Sequence, residues 1–292
     1  MLRVSLILLA LAHPLLATEQ DTVRTATSPV KAYIEYLDAL DNKNFDSIYA
    51  GIQYFKSHLT ELPEAQRDTI CWEFINFFIG TISYNNDLVW EDYEFISQIH
   101  DQSASQSPDV QGYINALHRN GLDLYTFGRL YYIDQQHDYL YRHFAPYVSS
   151  ALQDYLALRA SELETGFSDS DSLLITFQEV GERAIRWERY LDEHPVSVAA
   201  RAANYYYQTY RNTFLTGLRL SPVFDSRGAL RSDLITLYPD FISRHYDTDT
   251  AILVREFYIS LVKAGYHWSQ EVRDFYVEHQ IRNMHTAQLP YR

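Results

Sequence analysis

Residues 173–191 read LLITFQEVGERAIRWERYL, and within them Leu173, Phe177, Val180, Ala184, Trp187 and Leu191 recur at alternating intervals of four and three. That stepping matches the 3.6-residue turn of an α-helix with one apolar stripe turned inward. The spacing predicts a helix that begins after the Ser/Asp-rich turn at 168–172 and stops before Pro195, which has no N–H to continue a helical ladder. Ser197 is then the expected cap of a second helix, whose stripe is Ala199, Ala203, Tyr206, Tyr210 and Phe214 and whose stop is Gly217.

The same stepping extends outward in both directions. Ser28-Pro29 opens a helix carrying Val30, Tyr33, Leu37 and Leu40. After the polar break at 41–44, Phe45, Ile48, Ile52, Phe55 and Leu59 repeat the pattern, so the pair reads as a helical hairpin. Towards the other end, Thr250 to Lys263 reads as helix through Val254, Phe257, Tyr258 and Leu261, with Gly265 to terminate it. Ser269 is placed to cap a last helix bearing Val272, Phe275, Tyr276 and His279. Residues 108–164 are mostly helical by pattern, except Leu122-Asp123-Leu124-Tyr125 and Leu130-Tyr131-Tyr132-Ile133 around Gly128, which read as a short β-hairpin near 122–133. The stretch 218–232 reads as a long connection, and long connections concentrate function; it and the 168–172 turn are where a site is sought first. The expected class is all-α, built from layered helical hairpins.

Phe55, Leu59, Pro63, Ile70, Phe74 and Phe78 are spaced identically to Trp187, Leu191, Pro195, Ala202, Tyr206 and Tyr210. The chain therefore reads as a single helical domain, 18–292, that admits two related halves, 28–163 and 168–285. The stretch Tyr190 to Ala199, followed by Ala203, resembles the tetratricopeptide-type repeats of exported proteins, in which a helix ends at proline and a serine with small residues opens the next. The resemblance covers one hairpin of roughly 30 residues and lacks the family's Trp, Leu-Gly and Tyr positions. It implies a stacked array with an extended groove; the alternative is an irregular bundle.

Met1-Leu2-Arg3 is a basic start, Val4 to Ala12 an apolar run, and Ala17 a small residue before Thr18. This order predicts a secretory signal peptide over 1–17, a secreted or periplasmic protein, and no membrane insertion after cleavage, the run being shorter than the roughly 20 residues a spanning helix needs. The chain has 24 basic and 38 acidic residues, a net charge of −14, and no basic cluster to neutralise a phosphate backbone, so nucleic acid is not an expected partner. Cys71, the one cysteine, lies in an apolar helical stretch and reads as a small buried hydrophobe.

Catalytic signals are weak. His137 with His143, and His279 with His285, are too widely spaced for one helix face, so no metal site is expected. Asp169-Ser170-Asp171 and Asp247-Thr248-Asp249 are fragments of a calcium loop without its other ligands, and read instead as helix-start acids. Neither a Gly-rich phosphate loop nor a Gly-x-Ser-x-Gly elbow is present; no cofactor and no catalytic residue is assigned. Glu179, Glu182, Arg183, Arg186, Glu188 and Arg189 read as a solvated face of ion pairs. Tyr205, Tyr206 and Tyr207 fan out by about 100° each on a helix. With Tyr206 in the buried stripe, Tyr205 and Tyr207 beside Arg211 become the candidate ligand-binding residues. The expected function is that of an exported, non-enzymatic binding or scaffold protein for a peptide, protein or glycan. The alternative is an exported hydrolase of glycan or peptide acting through carboxylates that the sequence does not single out. A closed pocket with two converging carboxylates would favour the enzyme; an aromatic groove would favour binding.

Overall fold

In the computed structural model, residues 28–91, 93–99, 107–127, 130–169 and 171–282 are described. The expected signal peptide lies outside them. In chain order the described elements are α1 (Pro29–Asp38), α2 (Asp46–His58), α3 (Glu64–Glu91), α4 (Tyr93–Gln98) and α5 (Pro108–Arg119), followed by β1 (Leu122–Phe127) and β2 (Leu130–Gln135). Next come α6 (Tyr139–Phe144), a 3-10 turn (Ala145–Tyr147), α7 (Ser150–Thr165), β3 (Ser168–Asp169), β4 (Ser172–Leu173), α8 (Phe177–Glu193) and α9 (Ala200–Thr216). The last described elements are β5 (Gly217–Leu218), β6 (Ser221–Pro222), α10 (Ser232–Arg244), α11 (Asp249–Lys263) and α12 (Gln270–Glu278). Among the described residues the fold is all-α, with β1–β2 the expected short hairpin and two further, much smaller two-stranded pairs. Among the described residues no helix is long and apolar enough to cross a membrane.

Hydroxyl caps set several helix starts. Ser107, Ser149, Thr176, Thr248 and Ser269 each accept the N–H three residues on, satisfying a donor that the first turn leaves open. Thr176 corrects one expectation: α8 begins at Phe177, and Leu173 belongs to β4, paired with Ser168. Ser197 acts earlier than expected. Its hydroxyl receives the Ala199 N–H and the Tyr190 hydroxyl, shaping the turn before α9 rather than capping it. At Gly121, between α5 and β1, φ is +70° and a Cβ would lie 2.0 Å from the Tyr139 ring, so only glycine fits.

One continuous buried cluster runs from Tyr33 to Ile281. Tyr33, Ile48, Phe55, Phe74, Val180, Trp187, Phe214 and Phe257 are among its fully buried members, as the stepping requires. Aromatic rings tie its layers together: Trp72 of α3 meets Tyr155 of α7 at 5.5 Å, Tyr155 meets Trp187 of α8 at 5.6 Å, and Trp187 stacks on Tyr206 of α9 at 5.2 Å. Cys71 is buried at this core, and burial pushes its thiol pKa up.

The presumed solvated face of α8 is only half solvated. Arg186 and Glu179 pair at 2.5 Å in partial exposure, as expected of such a face. Arg183 and Glu188 are instead 1 % and 7 % exposed. The reason for Glu188 is that α11 starts against it: the carboxylate accepts the N–H groups of Asp249 at 2.5 Å and Thr250 at 3.0 Å.

His143 gives α6 a pH-dependent joint. Lys56 Nζ donates to His143 Nδ1 at 2.8 Å, which requires a neutral ring. Burial, then the charges of Lys56 and Arg142, hold its pKa down to about 4, against the opposing charge of Asp138. Above pH 6.5 the ring is neutral folded and unfolded; between 6.5 and 4 only the unfolded chain takes the proton, so stability is lost as pH falls. In chemical melts, His143→Gln should make the decline from pH 7 to 4 shallower by about 1 kcal/mol, a figure reduced for solvent screening at a half-exposed site. An unchanged acid limb would remove this role from His143.

Candidate functional site

The last turns of α7 turn Glu162 into the protein, where it is 3 % exposed. Three donors from three helices meet its carboxylate. Trp187 of α8 gives its indole N–H to Oε1 at 2.6 Å, and Tyr210 of α9 gives its hydroxyl to Oε2 at 3.0 Å. Arg159, one turn back on α7, gives Nη1 to Oε2 at 2.8 Å. The Arg159 guanidinium also lies over the Tyr206 ring at 4.0 Å. Arg183 completes the floor: it donates to the Tyr210 hydroxyl at 3.2 Å, Thr165 Oγ1 at 2.6 Å and Glu179 Oε1 at 3.3 Å. A buried cation and a buried carboxylate are thus each compensated, which is the condition for holding charge inside a protein.

Over this floor opens a cleft of about 420 Å³. The helical side supplies Arg159, Glu162, Thr165 and Arg183; the turn after α7 supplies Gly166 to Ser168; the opposite wall is the β1–β2 hairpin. The hairpin register decides what it shows. Asp123 pairs with Asp134 and Tyr125 with Tyr132, so all four point to one face, while Leu122, Leu124 and Ile133 point to the other. The apolar face docks on α3, where the Asn86 side chain acts as a short third strand: it donates to Ile133 O at 2.8 Å and receives the Ile133 N–H at 2.6 Å. The polar face is left to the cleft. Tyr125 and Tyr132 stack there at 5.6 Å, each 39 % exposed.

The two aspartates differ in company. Asp123 is paired with His118 at 3.1 Å, whereas Asp134 takes the N–H of its neighbour Gln135 and, among the described residues, joins no ion pair. Burial raises the Asp134 carboxyl above the usual range, opposed by the Gln135 N–H and the Arg159 charge. Burial also raises the hydroxyls of Tyr125 and Tyr132, with further upward pushes from Asp134 on both, Asp123 on the first and Asp169 on the second. Shifts of this kind, converging on a cleft, mark candidate functional sites.

The residues singled out in the sequence are dispersed. Tyr207 and Arg211 do meet, the guanidinium 5.4 Å from the ring centre, but the Tyr207 hydroxyl is engaged by Thr250 and Arg211 reaches Asn212. Tyr205, 57 % exposed, leans edge-on against Tyr206 instead. The two loops picked out by composition come together: Arg219 pairs with Asp171 at 2.5 Å, and the Leu220 N–H bonds to Asp171 O. The 168–172 turn reaches the edge of the cleft through Ser168, and Leu174 just beyond it lines the same edge. Asp249 sits in the first turn of α11, as a helix-start acid should. At the far end of α8, Asp154, Glu193 and His194 bring three donor atoms within 4.8 Å of one another. They come from two helices, so no spacing rule within one helix would find them. Comparison with protein-family models, with curated proteins and with solved structures returns no match to this chain.

Proposed function

We propose that this chain is an exported binding protein that holds part of a peptide, protein or glycan in the cleft between the β1–β2 hairpin and the α7–α9 floor. The observation that carries the reading is the tyrosine pair: two rings kept 39 % exposed, stacked on each other, on the one hairpin face that the core does not use. Aromatic faces above fixed polar groups are the usual makeup of a recognition site. The export half rests on the order of charge, apolar run and small residue over 1–17; an exported product beginning at Met1 would remove it. The tetratricopeptide-like corner at 190–203 supports a layered array as the scaffold for such a cleft.

The hydrolase alternative has one point in its favour. Asp134 and Glu162 line the same cleft, and burial raises the first. Against it, both oxygens of Glu162 are occupied by Trp187, Tyr210 and Arg159, which leaves Asp134 to be partnered by Glu164, an exposed lining residue rather than an enclosed one. Calorimetric titration of the full chain against short peptides and neutral oligosaccharides tests the choice. Saturable binding is expected, and Ser168→Trp, which fills the cleft, should abolish it. Binding that survives Ser168→Trp, or none to any probe, refutes the cleft as the site; turnover of a probe establishes the alternative.

A further inference from the structure

One acid of the cleft stands outside the ion pairs of its floor. Arg159 is matched by Glu162, and Arg183 shares Glu179 with Arg186. Asp134 lines the same space and, among the described residues, joins no ion pair, the Arg159 guanidinium that acts on it at longer range being held by Glu162. It also stands directly opposite Asp123 across the hairpin, an arrangement of like charges that weakens an antiparallel pair. The fold tolerates that cost on the one hairpin face that opens into the cleft. The same face presents the stacked rings of Tyr125 and Tyr132 one pair further along. An acidic group beside exposed aromatic faces is a receptor for an organic cation, which gains from the carboxylate and from the ring quadrupoles together.

We propose that the hairpin face receives the cationic side chain of a lysine or arginine in a peptide partner, held between the Asp134 carboxylate and the rings of Tyr125 and Tyr132. The inference rests on the cleft-binding reading above and names its ligand class. A peptide suits the remainder of the cleft better than an amino-sugar polymer. Arg159 spends one N–H donor on Glu162, and with the hydroxyl of Ser168 it offers donors to main-chain carbonyl oxygens. A glucosamine oligomer would instead bring an amine on every ring, protonated in part at neutral pH, towards Arg159 and Arg183. A simple divalent ion is a poorer occupant, because the tyrosine rings contribute nothing to it.

The test uses the full chain and four probes: acetyl-Gly-Lys-Gly-amide, its arginine counterpart, the same lysine peptide acetylated on Nζ, and a glucosamine trisaccharide. The lysine or arginine peptide is expected to bind at least about tenfold more tightly than the acetylated one, a gap of about 1.4 kcal/mol. Asp134→Asn should erase that gap while leaving the unfolding midpoint unchanged or higher, because it removes the repulsion from Asp123. Tyr132→Leu should weaken the cationic peptide about threefold to tenfold. Equal binding of charged and acetylated peptides overturns the cation assignment but leaves the cleft reading standing, as does preferential binding of the trisaccharide. Failure of every probe, on wild-type protein that needs no variant to fold, overturns this proposal; the cleft itself is overturned when no member of the wider panel binds the wild type, or when binding survives Ser168→Trp.

Discussion

Trp187→Ala should lower the stability of the folded chain by about 3–5 kcal/mol, read as a shift in the midpoint of a urea melt with the slope unchanged. The indole is fully buried and touches rings on two other helices, Tyr155 at 5.6 Å and Tyr206 at 5.2 Å. Truncation to a methyl group opens a void that these stiff neighbours cannot collapse into, and the void adds to the lost transfer free energy. It also removes one of the three donors on Glu162. Trp187→Phe separates the two losses. It keeps most of the packing and deletes the N–H, so about 1–3 kcal/mol is expected from the unsatisfied carboxylate oxygen alone. A near-neutral melt for the alanine variant would place the ring outside the core and would undo the α7–α8–α9 floor with it.

Helices were legible because their signal is local. Tyr33 and Leu37, Ile48 to Leu59, and Phe177 to Trp187 repeat every three or four residues and are buried where that repeat says. The misreadings are local too. Leu173 fits the α8 stripe by spacing alone, yet the Thr176 cap and the β3–β4 pairing take precedence over it. The site was less legible, for two physical reasons. Glu162 is one acid among 38, and nothing in its neighbours along the chain foretells that Trp187 and Tyr210, 25 and 48 residues on, will converge on it. Tyr205 and Tyr207 attracted notice by crowding, but helical geometry sends adjacent residues in different directions. The hairpin did hold a readable signal. Asp123-x-Tyr125 and Tyr132-x-Asp134 mirror each other about the turn, and a period of two puts all four on one face once the pairing is antiparallel. Carrying the hairpin through to its register would have exposed the acid pair, and like charges opposed on a strand pair are a conflict that a sequence retains only for a reason.

Glu162→Ala should be among the most damaging single changes in the chain, costing about 3–5 kcal/mol, because it strands a charge and two neutral donors inside the protein. The carboxylate side chain is 2 % exposed, and it accepts hydrogen bonds from Arg159, Trp187 and Tyr210 together. Glu162→Gln distinguishes charge from shape. The amide keeps the volume and one acceptor, but its NH₂ must face either the Trp187 N–H or the Arg159–Tyr210 pair, donor against donor; about 1–3 kcal/mol is expected. The sharper measurement is a double-mutant cycle with Arg159→Met, which retains cover over the Tyr206 ring. If the pair is a compensated charge inside the fold, removing both members should cost less than the sum of the single changes, by about 1–3 kcal/mol. Strict additivity would mean that Arg159 finds another counter-charge as soon as Glu162 is gone. Asp134, whose carboxyl already feels the Arg159 charge, is the group within reach. That outcome would redraw the cleft: Asp134 would be drawn from the hairpin face to the floor, and the same Glu162 variant should then lose its preference for a cationic probe. Measuring stability and probe affinity on one set of variants therefore tells whether the floor merely supports the binding face or also keeps its acid free.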